Sequence, residues 1–172
     1  MIDIQEIVKN EFEILASENY SKLERFVYTL VRNNEDAKDI VQETLITAYH
    51  NFDKLKNKEA FLSFIFTIAS RKRIDHYRKN KRISLEHCDI FSFLPSDDLN
   101  SEEKMDLVFL YEAIDQLPQK IKEAVLLFEI YGFKLKEVAN IQSASVSAVK
   151  LRLYRGRKKL KSILEVNHEV IK

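Results

Sequence analysis

The chain has 172 residues, enough for one compact domain or two small helical ones, and its 28 basic and 27 acidic residues leave a net charge of +1. That near-balance excludes a uniformly basic or acidic protein, and any charged partner must be sought in local runs. With 2 glycines, 2 prolines and 45% hydrophobic residues, an all-α protein with real cores is expected, while the lone Cys88 rules out an internal disulfide.

Taken in order, Ile4, Ile7, Val8, Phe12 and Leu15 carry helical spacing, and Leu23, Phe26, Val27, Leu30 and Val31 repeat it after a polar break at Ser17 to Asn19. Two scaffold helices are expected there. Asn34 is the expected cap of a third helix with an acidic first turn, as the helix dipole prefers. Its buried stripe should be Ala37, Val41, Leu45, Ala48 and Phe52, which leaves Asp39, Gln42, Glu43 and His50 on a polar stripe at spacings of three and four. By itself that stripe reads as solvated surface as readily as a docking face.

After a loop from Asp53 to Glu59, the apolar run Phe61, Phe64, Ile65, Ile68, Ala69 and Ile74 passes into a basic cluster of Arg71, Lys72, Arg73, Arg78, Lys79, Lys81 and Arg82 around one acid, Asp75. Aromatic rings beside cations suit single-stranded nucleic acid, in which bases stack and the backbone meets the charges. Phe61, Phe64 and Phe66 nonetheless read first as core, whereas His76 and Tyr77 are suited to solvent or DNA. Residues 83–104 lose all periodicity, contain Pro95 and several serines, and carry acids at Glu86, Asp89, Asp97 and Asp98, the marks of a flexible acidic linker.

A second helical unit begins with Met105, Leu107, Val108, Leu110, Tyr111 and Ile114, and Leu117-Pro118 should end that helix and start a support helix from Lys120 to Tyr131, with Gly132 in the turn. Leu135, Val138, Ala139 and Ile141 then mark one helix; Gln142 to Ser145 interrupt it, and Val146, Val149, Leu153 and Leu160 mark another, with Ser147 as its expected cap. Between Ser147 and Lys161 lie Lys150, Arg152, Arg155, Arg157, Lys158, Lys159 and Lys161 without a single acid. A solvated surface helix usually mixes both signs, so the pattern points to phosphates and to a helix-turn-helix. In that motif Lys150 and Arg152, early in the helix, would reach base edges, and Lys158, Lys159 and Lys161 would hold the backbone. The expected organisation is thus two small helical domains, residues 1–82 and 105–172, joined by residues 83–104.

Asp36-Ala37-Lys38-Asp39-Ile40-Val41-Gln42-Glu43-Thr44, then Phe61 through Ile68-Ala69 to Ile74-Asp75 and Arg78-Lys79, resembles region 2 of bacterial sigma factors of the extracytoplasmic-function type, in the sigma-70 family. Leu117-Pro118, Leu135-Lys136-Glu137-Val138-Ala139, and Val149-Lys150 with Arg152 and Arg155 resemble their region 4. The resemblance implies that Asp39, Gln42 and Glu43 face the clamp helices of core RNA polymerase, and that Ser70, Arg71, Arg73, His76, Arg78 and Lys79 meet the promoter's minus-ten element. It further implies that the loop residues Asp53, Lys54, Lys56 and Asn57 lie near a base flipped from the non-template strand. Ser147, Ala148, Lys150, Leu151, Arg152, Arg155, Lys158 and Lys159 would serve the minus-thirty-five element. An anti-sigma factor is a further partner that the family implies.

The chain departs from the family pattern at several positions: Phe64 stands for a usual Trp and Arg71 for Asn. Ser143 stands for the Gly of the helix-turn-helix, while Ser145, Ser147 and Ala148 replace Pro, Gly and Thr. A competing reading is a helix-turn-helix regulator with an N-terminal dimerisation or sensing domain, which would bind a palindrome as a dimer and leaves the aromatic-to-basic helix without a role. Enzymatic activity has little support: His50, His76, His87 and His168 lack metal-ligand spacing, His87 beside Cys88 reads as accident, and no glycine-rich phosphate loop is present, so no cofactor is expected. No charged-then-apolar leader and no long apolar run occurs, so a cytoplasmic protein without membrane insertion is expected.

Overall fold

The computed structural model describes residues 4–79 and 100–170, with side chains described over 9–78, at 100 and over 102–165. These residues form seven α-helices and no strand, and the chain divides into two compact units, Met1–His87 and Cys88–Lys172. Most of the expected linker, residues 83–99, lies outside the described residues.

The first unit is a three-helix bundle of α1 (Ile4–Val31), α2 (Asn34–His50) and α3 (Phe61–Lys79). Where the polar break at Ser17 to Asn19 suggests two helices, α1 is continuous. The Asn19 side chain donates to the Leu15 carbonyl at 2.8 Å, so a polar residue is accommodated within the helix instead of ending it. Arg32 turns the chain with φ of 60°, and Asn33, not Asn34, caps α2 by accepting from the Asp36 N–H at 2.9 Å.

The core lies among the apolar faces of these helices. Phe26 of α1 stacks on Phe66 of α3 with ring centroids 4.3 Å apart, and both are fully buried. Phe12 meets Phe52 and Phe61 edge-on at 5.3 and 5.8 Å. Phe61 and Phe66 are therefore core, as their spacing suggested, while Phe64 is half-buried. On α2 the buried stripe is Ala37, Ile40, Val41, Thr44 and Ala48, and Leu45 is only half-buried. The buried Thr44 hydroxyl donates to the Ile40 carbonyl at 2.6 Å, which removes the penalty of an unpaired polar group.

The second unit begins earlier than its apolar pattern suggests. Helix α4 spans Ser101–Asp115 behind a capping box: Asn100 accepts from the Glu103 N–H at 2.9 Å, and Glu103 accepts from the Asn100 N–H at 3.0 Å. Residues 101–104 are thus helix, not linker. Pro118 ends the connection and sits immediately before α5 (Gln119–Val125), which widens into a π-turn at Leu126–Ile130. Gly132, with φ of 70°, then makes the turn toward α6 (Leu135–Ile141), and α7 (Val146–Val170) closes the unit.

Helix α7 packs on α5 through a glycine. A Cβ on Gly156 would stand 2.6 Å from Val125 Cγ2 and 3.0 Å from Ile121 Cγ2, closer than any side chain tolerates without displacing its neighbour. The remaining core gathers Val108, Tyr111 and Ile114 of α4, Val125 to Leu127, Val138 and Ile141 of α6, and Val149 and Leu153 of α7. Lys122, buried, bonds through its ammonium to Asp115, so a charge inside the unit is paired across α4 and α5.

Candidate nucleic-acid interface

In the first unit, α2 presents Asp39, Gln42 and Glu43 to solvent, because the period of 3.6 residues that buries Ile40, Val41 and Thr44 turns these three outward. Glu43 forms an ion pair with Lys72 of α3 at 3.2 Å, so the acid stripe borders the basic helix directly. Ile46 continues the same face and is 58% exposed, an apolar extension that a polarity argument passes over.

The residues between α2 and α3 are two short 3-10 turns, Phe52–Lys54 and Lys58–Ala60, with Asp53, Lys54, Lys56 and Asn57 all exposed. Lys54 donates to the Asn51 side chain at 2.7 Å, and Asn57 accepts from the Glu59 N–H at 3.0 Å. Lys58 stands 3.4 Å over the Phe52 ring and 3.2 Å from Glu11, which pins this connection to the bundle.

On α3, Arg71, Tyr77 and Arg78 are exposed, and Arg73 is half-buried. Ser70 is 3% exposed, so its side chain belongs to the bundle interior and not to a nucleic-acid surface as the resemblance implied. His76 approaches Asp36 at the start of α2, Nε2 to Oδ1 3.4 Å, and is half-buried there, so it faces the bundle at least as much as solvent. Lys79 closes α3, and the cluster's Lys81 and Arg82 lie outside the described residues.

The α6–α7 pair has the geometry of a helix-turn-helix. Ser143 occupies the turn with φ of 47°, the left-handed conformation expected where the family carries glycine, at a cost of roughly 1–2 kcal/mol for a residue with a Cβ. Ser145, not Ser147, caps α7: its hydroxyl accepts from the Ala148 N–H at 3.1 Å, and its carbonyl accepts from the Val149 N–H at 3.0 Å. The helix therefore begins at Val146, which leaves Ser147 exposed in the first turn and Ala148 half-buried.

The burial of Val149, Leu153 and Gly156 sets which side of α7 faces outward. Ser147, Leu151, Tyr154 and Lys158 run down the middle of that outward face, with Lys150 and Arg155 exposed on its flanks and Lys159 exposed beyond. Arg152 is on neither. Its Nη1 donates to Gln142 Oε1 at 2.7 Å, and the Gln142 amide donates onward to Glu123 Oε2 at 2.9 Å and to the Lys120 carbonyl at 3.0 Å. Glu123 is 4% exposed. Arg152 is thus a brace joining α7, the turn and α5, which corrects its expected role as a base reader. Arg157 is committed similarly, bonding Glu129 through Nε at 2.8 Å and Nη2 at 2.7 Å.

This brace carries an expected outcome. Arg152→Ala removes the charged donor to Gln142, the residue whose amide bonds the buried Glu123, and should lower the stability of the second unit by about 1.5–3 kcal/mol, the usual worth of a hydrogen bond to a charged group. Thermal melts of the intact chain followed by circular dichroism check this. An unchanged melt together with a loss of sequence preference would return Arg152 to the base-reading set.

Tyr154, 65% exposed, is the outward residue that the sequence reading omitted. The available signal was its spacing of seven residues from Ser147 and three from Leu151, which puts all of them on one face.

Comparison with known proteins follows the same division. Sigma-70 region 2 matches residues 15–83, and Sigma-70 region 4 matches residues 110–160. The chain is 34% identical over 134 residues to the RNA polymerase sigma factor SigV of Bacillus subtilis, covering 78% of this chain and 79% of that protein. It is 29% identical over 155 residues to the ECF RNA polymerase sigma factor SigW of the same organism, covering 83% of each. Among solved structures, the sigma factor RpoE of Bartonella quintana, in complex with the anti-sigma factor NepR, superposes with a TM-score of 0.70 at 24% identity, covering 92% of this chain and 96% of that one. CnrH, in complex with the cytosolic domain of CnrY, gives 0.65 at 21% identity, covering 94% and 97%. Two regions in family order, each on its own compact unit, and a relative matched along most of its length establish that this chain belongs to the sigma-70 family of RNA polymerase sigma factors, in its extracytoplasmic-function branch.

Proposed function

We propose that this sigma factor divides its work between the two units. The first, residues 1–82, binds core polymerase through Asp39, Gln42 and Glu43 of α2 and engages the minus-ten element through Arg71, Arg73, Arg78 and Lys79 of α3. Asp53, Lys54, Lys56 and Asn57 border a flipped base. The second, residues 105–172, engages the minus-thirty-five element through the outward face of α7, and residues 83–104 tether the two. The observation that carries this reading is the adjacency of opposite chemistries in the first unit: an exposed acid-and-amide stripe on α2 beside an exposed basic end of α3. A protein that must hold a cationic polymerase surface and an anionic strand at once needs both.

The chain acts as an initiation factor with no catalysis of its own and works in the cytoplasm; among the described residues no helix is long and apolar enough to cross a membrane. An anti-sigma factor that covers the same exposed surfaces is the natural silencer, as the solved complexes of RpoE with NepR and CnrH with CnrY suggest by analogy.

The test is transcription from a linear template by core RNA polymerase with and without this protein. Stimulation with one protein per promoter supports the reading; dimeric binding to a palindrome by the free chain, with no stimulation of core, overturns it. Within it, holoenzyme carrying Arg71→Ala and Arg78→Ala should still bind the upstream element but open the start region poorly, since these exposed cations are assigned to the displaced strand. Permanganate reactivity of unpaired thymines reads this directly. Reactivity equal to that of the parent would mark the cluster as plain solvated surface.

A further inference from the structure

The outward face of α7 is basic at its edges and at Lys158, but not along its middle from Ser147 to Tyr154. Leu151 is 47% exposed and Tyr154 65% exposed, and they stand between Lys150 and Arg155 with Ser147 ahead of them and Lys158 behind. Neither belongs to the buried side of the helix, which is Val149, Leu153 and Gly156. Single exposed apolar residues are ordinary. Two of them, three residues apart at the middle of a face whose remaining members are cationic or hydroxylic, form an apolar strip where a purely phosphate-binding surface would have more charge.

We infer that Leu151 and Tyr154 read thymine methyl groups in the upstream promoter element, so that this sigma factor prefers A·T pairs at one or two positions there for an apolar reason. This rests on the reading of α7 as the minus-thirty-five helix. In the major groove the thymine C5-methyl is the one apolar mark on a base edge, and cytosine lacks it, so an apolar side chain at that spot discriminates where a lysine cannot. The flanking charges fit the same arrangement: Lys150 and Arg155 can reach guanine edges or phosphates to either side, and Lys158 the backbone, leaving the centre of the groove floor to Leu151 and Tyr154. The brace through Arg152, Gln142 and Glu123 serves this role as well, because it holds α7 against α5 from the opposite side and gives the strip a defined height in the groove.

Deoxyuridine differs from thymidine only by the missing methyl, so it isolates the proposed contact. Promoters are first recovered by transcription of a randomised linear library with the holoenzyme, and each upstream thymine of a recovered promoter is then replaced singly by deoxyuridine in synthetic duplexes whose minus-ten segment is unchanged. At one or two positions the parent holoenzyme should lose about fourfold in open-complex formation, the scale of one methyl group withdrawn from apolar contact. Holoenzymes with Leu151→Ala or Tyr154→Ala, exposed positions at which alanine preserves the helix, should make no distinction between the two bases at the corresponding position. Equal activity on thymine and deoxyuridine at every upstream position with the parent protein overturns the inference, as does a methyl effect that survives both substitutions. Recovery of no promoter at all overturns the sigma reading beneath it, a result distinct from either.

Discussion

Charge reversal at Asp39 and Glu43 is expected to remove this protein from core polymerase while leaving it folded. Both side chains are exposed on α2, and neither belongs to the buried set of Ala37, Ile40, Val41, Thr44 and Ala48. In the double variant Asp39→Lys, Glu43→Lys, two acids assigned to a cationic partner become two cations, and the loss should exceed about 3 kcal/mol, more than a hundredfold, since truncating one partner of a charge pair buried on binding costs about 2–5 kcal/mol by itself. The fold loses only the Glu43–Lys72 pair, a surface contact at 3.2 Å worth at most about 1 kcal/mol, together with a mild new repulsion. Pull-down with core polymerase and a circular dichroism melt separate the two effects. A normal pull-down from a normally folded variant would reassign the stripe to solvated surface.

The second large effect is expected on α7, and its two kinds of cation should fail differently. Lys150, in the second turn of the helix, and Arg155, in the third, flank the outward centre on either side, whereas Lys158 and Lys159 lie about a turn beyond Arg155. Alanine at Lys150 or Arg155 should cost about 1–3 kcal/mol on the preferred upstream element and less on altered ones, the signature of lost base contacts. At Lys158 or Lys159 it should weaken every sequence alike and reduce the slope of log affinity against log salt by about 1. Holoenzyme binding to matched and altered promoters at several salt concentrations reads both quantities. Identical behaviour from the two pairs would mean that α7 holds backbone along its whole length and reads nothing.

Much of this was legible before any coordinates. Few glycines and prolines with apolar residues at helical spacing make helices, so the helical class, the outward set of Asp39, Gln42 and Glu43, and the acid-free stretch from Ser147 to Lys161 follow from the chain itself. The backbone at Ser143 was legible through the resemblance: it stands where the family's helix-turn-helix carries glycine, and φ of 47° is found there. Caps were less so. Asn33 and Asn34 are adjacent and chemically identical, and Ser145 and Ser147 nearly as close, so the choice between them depends on where the first turn packs and not on residue type.

What only the tertiary structure decided is the direction of long polar side chains and the fate of small ones. Ser70 belongs to a basic stretch by position, yet the bundle encloses it. Arg152 and Arg155 look alike on the helix, and Arg152 turns inward because Gln142, ten residues back, offers an acceptor that is itself anchored to buried Glu123. Tyr154 looks like one more apolar member of the helix and instead stands in solvent, because Val149, Leu153 and the close approach at Gly156 set the rotation of α7 about its axis. Periodicity determines that a helix has an inner and an outer face; its rotation, and therefore which residue stands at the centre of the outer face, is settled by the shapes that meet it from other helices.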